Sequence, residues 1–222
     1  MSSICQTYRD ALYGQLARLT KAMAHPRRLM ILDLLLQAPR TVEALATQAG
    51  MSVASTSQHL QVLRAARLVE AEKKGLYVTY RLADDAVYDV LCSLRRVAQA
   101  RLAEVEQMQR GMQEQGEHLP RLTAAELREC LERQEAVILD LRPAEEYQAG
   151  HVPGAISVPF ENLEQRLREL PRDRRIVAYC RGEYCLRARQ AVDLLQREGF
   201  MAGYVDEGVR DLQAEGIAIE GG

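Results

Sequence analysis

The sequence predicts two domains, a mainly α-helical N-terminal half carrying a helix-turn-helix and a β-hairpin, and a C-terminal α/β half built on a parallel sheet. Three observations carry this division. Up to about residue 110 the apolar residues recur every three or four positions, the helical spacing. Beyond residue 119, short apolar runs alternate with helical patterns. Residues 1–110 hold 15 Lys+Arg against 10 Asp+Glu and the remainder 14 against 21, so a mildly basic half precedes an acidic one. Only the first half suits contact with a polyanion. The polar stretch at residues 111–118 separates them as a linker, which gives domains at 1–110 and 119–222.

No run in the 222 residues approaches the ~18 consecutive apolar positions of a membrane span, and the start lacks a basic, then apolar, then small-residue signal. The chain is expected to be cytoplasmic, with no membrane partner. Its five cysteines, Cys5, Cys92, Cys130, Cys180 and Cys185, are odd in number and mostly far apart. That argues against a disulfide framework and for reactive or buried thiols. With no Cys-x-x-Cys and no histidine cluster, no metal site and no cofactor is expected.

From the start of the chain, Tyr8, Leu12, Leu16, Leu19 and Met23 mark one face of a first helix, which His25-Pro26 ends. Pro26 opens a second helix with Leu29, Ile31, Leu32, Leu35 and Leu36 on its apolar side, and Pro39 stops it. A short helix begins at Thr41, Ala49 to Ser52 makes a tight turn, and Ser52 caps a longer helix over residues 53–67. That helix offers Ser55, Thr56, Ser57, Gln58 and His59 in its first turns, side chains short enough to reach base edges in a major groove. A strand, a basic turn and a second strand follow over residues 68–82. Lys73, Lys74 and Gly75 at the turn make a wing that meets phosphates. Residues 84–115 form a long amphipathic helix striped by Val87, Val90, Leu91, Leu94, Val97, Ala98, Leu102, Val105 and Met108. So small a domain cannot bury such a stripe alone, so part of it faces a partner chain.

The string Ala24-His25-Pro26-Arg27-Arg28-Leu29, with Ser57-Gln58-His59-Leu60-Gln61-Val62-Leu63 and Leu68-Val69, resembles the ArsR/SmtB family of winged-helix repressors over residues 8–108. The resemblance implies a homodimer formed by the first and last helices, bound to palindromic double-stranded operator DNA. Metal-sensing members carry a Cys-x-Cys pair before the recognition helix; residues 42–47 hold no thiol. Persulfide-sensing relatives use one cysteine in the second helix and one in the last. Here the second helix carries Asp33 and no cysteine, while Cys92 lies in the last. Cys5 and Cys92 read either as a frayed thiol and a small interface residue or as a sensing dithiol.

In the second half, Thr123-Ala124-Ala125-Glu126 has capping-box spacing and opens a helix to about residue 133 that contains Cys130 as a packing residue. Residues 136–140 make a buried strand and 155–158 a short one. Leu163, Leu167 and Leu170 give a helix its buried face, and 201–205 form a last strand after the Gly199 helix stop. Between these, residues 175–179 form a buried strand ending at Cys180, before a short glycine-bearing loop and a helix from about Cys185. At such a place unpaired backbone N–H groups and a helix N-terminus converge, which stabilises a thiolate, a persulfide or another bound anion.

This strand, cysteine, loop and helix resemble the active-site loop of rhodanese domains, and Leu139-Asp140-Leu141-Arg142-Pro143 through Gly150-His151-Val152-Pro153-Gly154-Ala155 resembles their other signature. The resemblance implies a rhodanese-like fold over 119–222. It also implies a catalytic loop of Cys180, Arg181, Gly182, Glu183, Tyr184 and Cys185, with Asp140, Arg142, Glu146 and His151 as structural support. The Cys180 thiolate then attacks the outer sulfur of a small sulfane donor and passes it to an acceptor thiol. Amides from Arg181 through Cys185 hold the anionic sulfur, Arg181 adds charge and Glu183 opposes it. Many single-domain relatives carry arginine where this chain has Cys185. That departure speaks against thiosulfate as donor and supplies either a resolving thiol or a helix-start packing residue. Phosphatase and arsenate-reductase relatives need Cys-x5-Arg, whereas the sixth residue after Cys180 is Leu186 and the arginine, Arg187, comes one later.

Together these features predict a DNA-binding transcriptional regulator, a repressor, joined to a sulfurtransferase domain that forms a Cys180 persulfide and controls genes of reactive-sulfur metabolism. The alternative is a thiol-based redox or persulfide sensor whose second domain binds without turnover.

Overall fold

The computed structural model describes residues 3–75, 77–114 and 118–221, with the side chains of residues 3, 74 and 112–114 outside that description. The chain forms two compact units, residues 1–96 and 97–222. The linker expected at 111–118 falls partly on residues 115–117, which lie outside the described ones.

In the first unit, α1 (Ser3–Met23), α2 (Pro26–Gln37), α3 (Val42–Ala49) and α4 (Val53–Ala65) precede the hairpin of β2 (Val69–Lys74) and β3 (Tyr77–Leu82). His25 caps α2 through Nδ1, which accepts from the Arg27 amide at 3.1 Å, and Pro26 supplies the preset φ of a first helical residue. The turn between α3 and α4 closes on Gly50 at φ 61°, and Ser52 Oγ accepts from the Ser55 amide at 3.2 Å. Ile31, Leu32, Leu45, Leu60 and Leu63 are fully buried where α2, α3 and α4 meet, each contributing about 1.5–3 kcal/mol. The hairpin pairs Val69 with Leu82 through Lys74 with Tyr77, turning at Gly75 with φ 63°. A two-residue strand β1 (Arg40–Thr41), which the sequence reading passed over, adds to β3 and makes the sheet three-stranded.

Two expected boundaries move. Helix α4 ends at Ala65 and not at residue 67, because Arg67 adopts φ 60° and Leu68 N–H returns to Leu63 O. The long helix expected over 84–115 is divided into α5 (Asp85–Arg101) and α6 (Ala103–Glu114). The interruption is one residue, since Leu102 N–H still reaches Ala98 O and Glu106 N–H reaches Leu102 O.

In the second unit a parallel sheet has the order β5 (Ile156–Ser157), β4 (Ala136–Asp140), β6 (Arg175–Tyr179), β7 (Ala202–Tyr204). Its central strands are buried on both faces, Ile176, Val177, Ala178 and Tyr179 being fully so. The Thr123 capping box opens α7 (Ala124–Arg133). Then come α8 (Ala144–Ala149), α9 (Leu163–Arg166), α10 (Arg187–Arg197) and α11 (Val209–Ala214). The helix expected from Leu163, Leu167 and Leu170 is broken into the four-residue α9 and a 3-10 turn, with Pro171 beyond. β4 and β6 end side by side, with Asp140 opposite Tyr179. Their carboxyl ends therefore deliver Asp140, Cys180 and the loops that follow to one edge of the sheet.

Replacing Ser52 by alanine removes the cap of α4 and should destabilise the first unit by about 1 kcal/mol. Urea unfolding followed by circular dichroism measures this, and an unchanged midpoint would show that the cap carries no weight.

Candidate functional site

Cys180 stands one residue past β6 and is 3% exposed, packed in the core with Leu139, Ala178 and Ala188. Gly182 follows at φ 123°, a conformation that L side chains rarely adopt. The Cys185 N–H donates to Gly182 O at 2.9 Å, and this turn folds Cys185 back over the strand end. Its Sγ comes to 2.8 Å from Cys180 Sγ, hydrogen-bond range, and both thiols are free. Glu183 and Tyr184 lie exposed on the outside of the turn.

Four guanidinium groups surround this loop, and each has a carboxylate partner. Arg142, 1% exposed, grips the fully buried Asp140 through Nε (3.0 and 3.1 Å) and Nη2 (2.6 Å), and also donates to Gly150 O. Tyr179 Oη donates to the same carboxylate at 2.6 Å and accepts from the Val152 amide. Burial and the adjacent Asp140 charge push the Tyr179 phenol far up, so it stays a donor. Arg181 Nε lies 3.0 and 3.1 Å from the carboxylate of fully buried Glu146, and its Nη2 closes the fork. Burial disfavours the Arg181 charge, but Glu146 more than offsets this and holds the guanidinium above its usual range. Arg189 pairs with Asp206 at 2.9 Å, and Arg187 Nη2 reaches Glu161 at 2.8 Å.

The sulfurs are therefore left to each other, to the backbone and to the field of the Glu146-paired Arg181. The expected cradle of amides from Arg181 through Cys185 is narrower than the sequence suggested. The Arg181 amide reaches both sulfurs, the Arg187 amide at the start of α10 reaches Cys185, and the Cys185 N–H is already engaged by Gly182. The expected open thiolate at Cys180 needs correcting. Its hydrogen bond to Cys185, followed by burial, pushes the Cys180 thiol up, while the bond from Cys180 and the two amides hold Cys185 down to about 6. One negative charge shared by the pair is the chemistry this geometry supports.

The loop leans on a segment that sequence reading missed. Gly208, after β7, lies so close to the loop that a Cβ there would meet Arg181 O at 2.6 Å. Asp206, two residues earlier, joins Arg189 and Arg121. The available signal was an arginine on the buried face of α10 beside Ala188 and Val192, which demands an acidic partner. His151 accepts no part in the sulfur pair. It stacks on Tyr147 at 3.7 Å, its Nδ1 meets Tyr147 O at 2.9 Å, and its backbone bridges Glu220.

On the other unit, α4 turns Thr56, Leu60 and Leu63 inward. Thr56 was expected to face DNA, but it is fully buried and its hydroxyl donates to Ser52 O at 3.0 Å. The exposed face carries Ala54, Gln58 and Gln61, with Ser55, Ser57 and His59 half-buried beside it. Gln61 was missed, although the i, i+3 spacing from Gln58 marks it. The His59 ring sits 4.6 Å from that of His25, and burial with the charges of His25, Arg28 and Arg27 lowers its pKa. Lys73 is exposed in the hairpin, and the Lys74 side chain lies outside the described residues. Cys5 is exposed on α1, Cys92 half-buried on α5, and both are free. Asp33, where sensing relatives have a cysteine-bearing helix, pairs with Arg95. Among the described residues no group of three or more His, Cys, Asp or Glu is placed to hold a metal, and no helix is long and apolar enough to cross a membrane.

A winged helix-turn-helix joined to a parallel α/β domain with a cysteine loop at its strand ends defines a DNA-binding regulator carrying a rhodanese-like domain. Comparison with known proteins agrees in both halves. Residues 25–71 match the bacterial regulatory protein, arsR family, and residues 123–215 match the rhodanese-like domain. The chain is 42% identical over 212 residues to the HTH-type transcriptional regulator Rv0324 of Mycobacterium tuberculosis, covering 96% of this chain and 93% of that protein. Among solved structures, the homodimeric winged helix-turn-helix DNA-binding domain (fragment 1-100) of Mb0332 from Mycobacterium bovis is 44% identical, with a TM-score of 0.41, covering 42% of this chain and 87% of that one. The thiosulfate sulfurtransferase from Pseudomonas aeruginosa is 31% identical, with a TM-score of 0.46, covering 52% of this chain and 22% of that one. The chain belongs to the ArsR family of transcriptional regulators and carries a C-terminal rhodanese-like domain.

Because the pair shares one charge, alkylation of Cys185 should follow its ionisation. The rate is low below the folded pKa and rises with pH around a midpoint of about 6. Cys180→Ala removes the sulfur donor, and the midpoint should then move upward. Peptide mapping after timed iodoacetamide exposure reads this, and a native midpoint at the ordinary thiol value of about 8.5 would contradict the shared charge.

Proposed function

We propose that this regulator is a homodimeric repressor whose C-terminal domain takes sulfane sulfur onto Cys180 and thereby loosens its hold on operator DNA, placing genes of reactive-sulfur metabolism under its control. The observation that carries the sulfur reading is the 2.8 Å approach of two free thiols at the end of a buried strand. Cys185, held down to about 6, is the base that takes the Cys180 proton across that short bond. Cys180 then attacks the outer sulfur of a small donor, and the leaving group departs with the electron pair of the broken bond. The guanidinium groups around the loop being paired, a dianionic donor such as thiosulfate meets little free positive charge, which favours a persulfide or polysulfide.

Dimerisation is supported by the apolar side chains that the first unit leaves in solvent. On α1 these include Ile4, Tyr8, Leu12 and Leu16, and on α5 Val90 and Leu94. For DNA, the supporting observation is the polar face of α4, with Gln58 and Gln61 one turn apart, and Lys73 in the wing. A glutamine reads adenine through paired donor and acceptor contacts, whereas a wing lysine meets phosphate.

Gln58→Ala or Gln61→Ala should weaken operator binding by about 1–3 kcal/mol and relax sequence preference. Lys73→Ala should weaken binding to all sequences alike and lower the salt slope by about 1. Fluorescence anisotropy on the protein's own promoter region across a salt series separates the two. Binding unchanged in all three variants would place the interface elsewhere.

Coupling requires that the sulfur-modified and reduced proteins differ in operator affinity by about 5–150-fold. A gel-shift titration before and after polysulfide should show this loss, and Cys180→Ser should abolish it. Equal affinities in the unsubstituted protein would remove the coupling.

A further inference from the structure

Resting on the reading that Cys180 accepts sulfane sulfur, we infer that Cys185 resolves the resulting persulfide, so that the loop reduces sulfane sulfur to hydrosulfide and closes as a Cys180–Cys185 disulfide. The rhodanese-like domain then consumes its cargo instead of handing it to an external acceptor.

The geometry places Cys185 Sγ 2.8 Å from Cys180 Sγ, the inner sulfur of the persulfide. Attack there, and not on the outer atom, is the shortest path. The turn that closes Cys185 N–H onto Gly182 O holds the thiol in place, and Gly182 at φ 123° lets the chain make that turn. The Arg187 and Arg181 amides are fixed donors that remain for the Cys185 thiolate after Cys180 has taken up sulfur and the proton has been released. In the reaction, the Cys185 thiolate forms a bond to Cys180 Sγ as the bond from Cys180 Sγ to the terminal sulfur breaks. Hydrosulfide leaves with that electron pair. Two cysteine sulfurs are oxidised to the disulfide, and the sulfane sulfur is reduced to sulfide. Two equivalents of a thiol reductant reopen the pair.

Competition favours this course. A held neighbour acts at effective concentrations that can reach ~10⁵ M or more, well above any soluble acceptor. The terminal hydrosulfide is also a good leaving group. Cys180 is 3% exposed, so an external thiol has to reach a sulfur that Cys185 already touches.

The test uses the full chain, reduced, under argon, treated with stoichiometric inorganic polysulfide, then alkylated and mapped by mass spectrometry. The unsubstituted chain should lose two hydrogens across the peptides bearing Cys180 and Cys185 and retain no added sulfur. Cys185→Ser should accumulate one extra sulfur atom on Cys180, slowly at neutral pH because the base is gone and readily at about pH 9, where a thiol ionises unaided; Cys185→Ala should do the same if the serine variant folds poorly. A stable Cys180 persulfide in the unsubstituted chain, or a bridge that keeps an additional sulfur, would overturn the inference while leaving sulfur uptake intact. No disulfide and no released sulfide in the unsubstituted chain, with no sulfur on Cys180 in either variant at the higher pH, would overturn the proposed uptake itself.

Discussion

Two sulfur atoms 2.8 Å apart cannot both hold a negative charge in a buried setting, and the rest of the C-terminal site is arranged around that limit. The first proton leaves easily because the remaining thiol and two backbone amides stabilise the thiolate that is formed. The second leaves only with difficulty, because it would create a like charge at contact distance. The pair is therefore a single titrating unit with one charge, movable between its members by shifting one proton. A lone cysteine at this strand end, 3% exposed and helped only by the Arg181 amide and a guanidinium already paired with Glu146, would stay a thiol at neutral pH.

That dependence follows from where the arginines go. Arg142, Arg181, Arg187 and Arg189 all lie near the loop in sequence or space, yet Asp140, Glu146, Glu161 and Asp206 engage them. Asp140 and Glu146 are fully buried, and a buried carboxylate without its cation costs about 3–5 kcal/mol. Pulling Arg181 round to an incoming anion would incur that cost at Glu146, which exceeds what one further hydrogen bond to the anion, about 1.5–3 kcal/mol, returns. In the structure the arginines are engaged in shaping the loop. Under the proposed function, Cys185 in place of the arginine of many single-domain rhodanese-like loops exchanges electrostatic capture of a donor for thiol exchange within the protein.

Much of this was legible in the sequence, because strands, glycines and caps are local. Residues 175–179 read as a buried strand, Gly182 as a turn, and Ser52 and Thr123 as caps, and each sits where it was expected. What escaped depends on distant partners. Thr56 belongs to a run of polar residues, but its rotation about α4 turns its hydroxyl onto Ser52 O. The same rotation exposes Gln61, so a helical period applied to the polar residues as strictly as to the leucines would have exchanged one for the other. Arg189 stands in sequence among the charged and polar residues of α10, while its partner Asp206 lies 17 residues on. The loop's charge was assigned to Cys180 by its place in the motif. Only the fold of the turn, with Cys185 laid against it, makes that charge a property of the pair.

A coupling between sulfur chemistry and DNA release has to work through shape. Reduced pair and persulfide each carry about one negative charge at neutral pH, and a disulfide carries none, so the largest change available is one charge. One unit charge acting on another through 20 Å of water is worth about 0.2 kcal/mol before salt screening, and the screening length is about 8 Å at physiological salt. Coupling of the usual size is about 1–3 kcal/mol, several times more. The structure shows which movement is open. Gly208 lies so near the Arg181 carbonyl that a Cβ there would clash with it, and Glu146 anchors the Arg181 side chain, so the start of the loop is confined on both sides. The outer segment, Gly182 through Cys185, is tied instead by polar contacts: Cys185 N–H to Gly182 O, and Gln99 Nε2 to Glu183 (2.6 Å) and to Tyr184 Oη (3.0 Å). Closing a covalent bridge from Cys185 to Cys180 would draw this outer segment toward the strand, and it is there that a chemical event on sulfur becomes a change of surface.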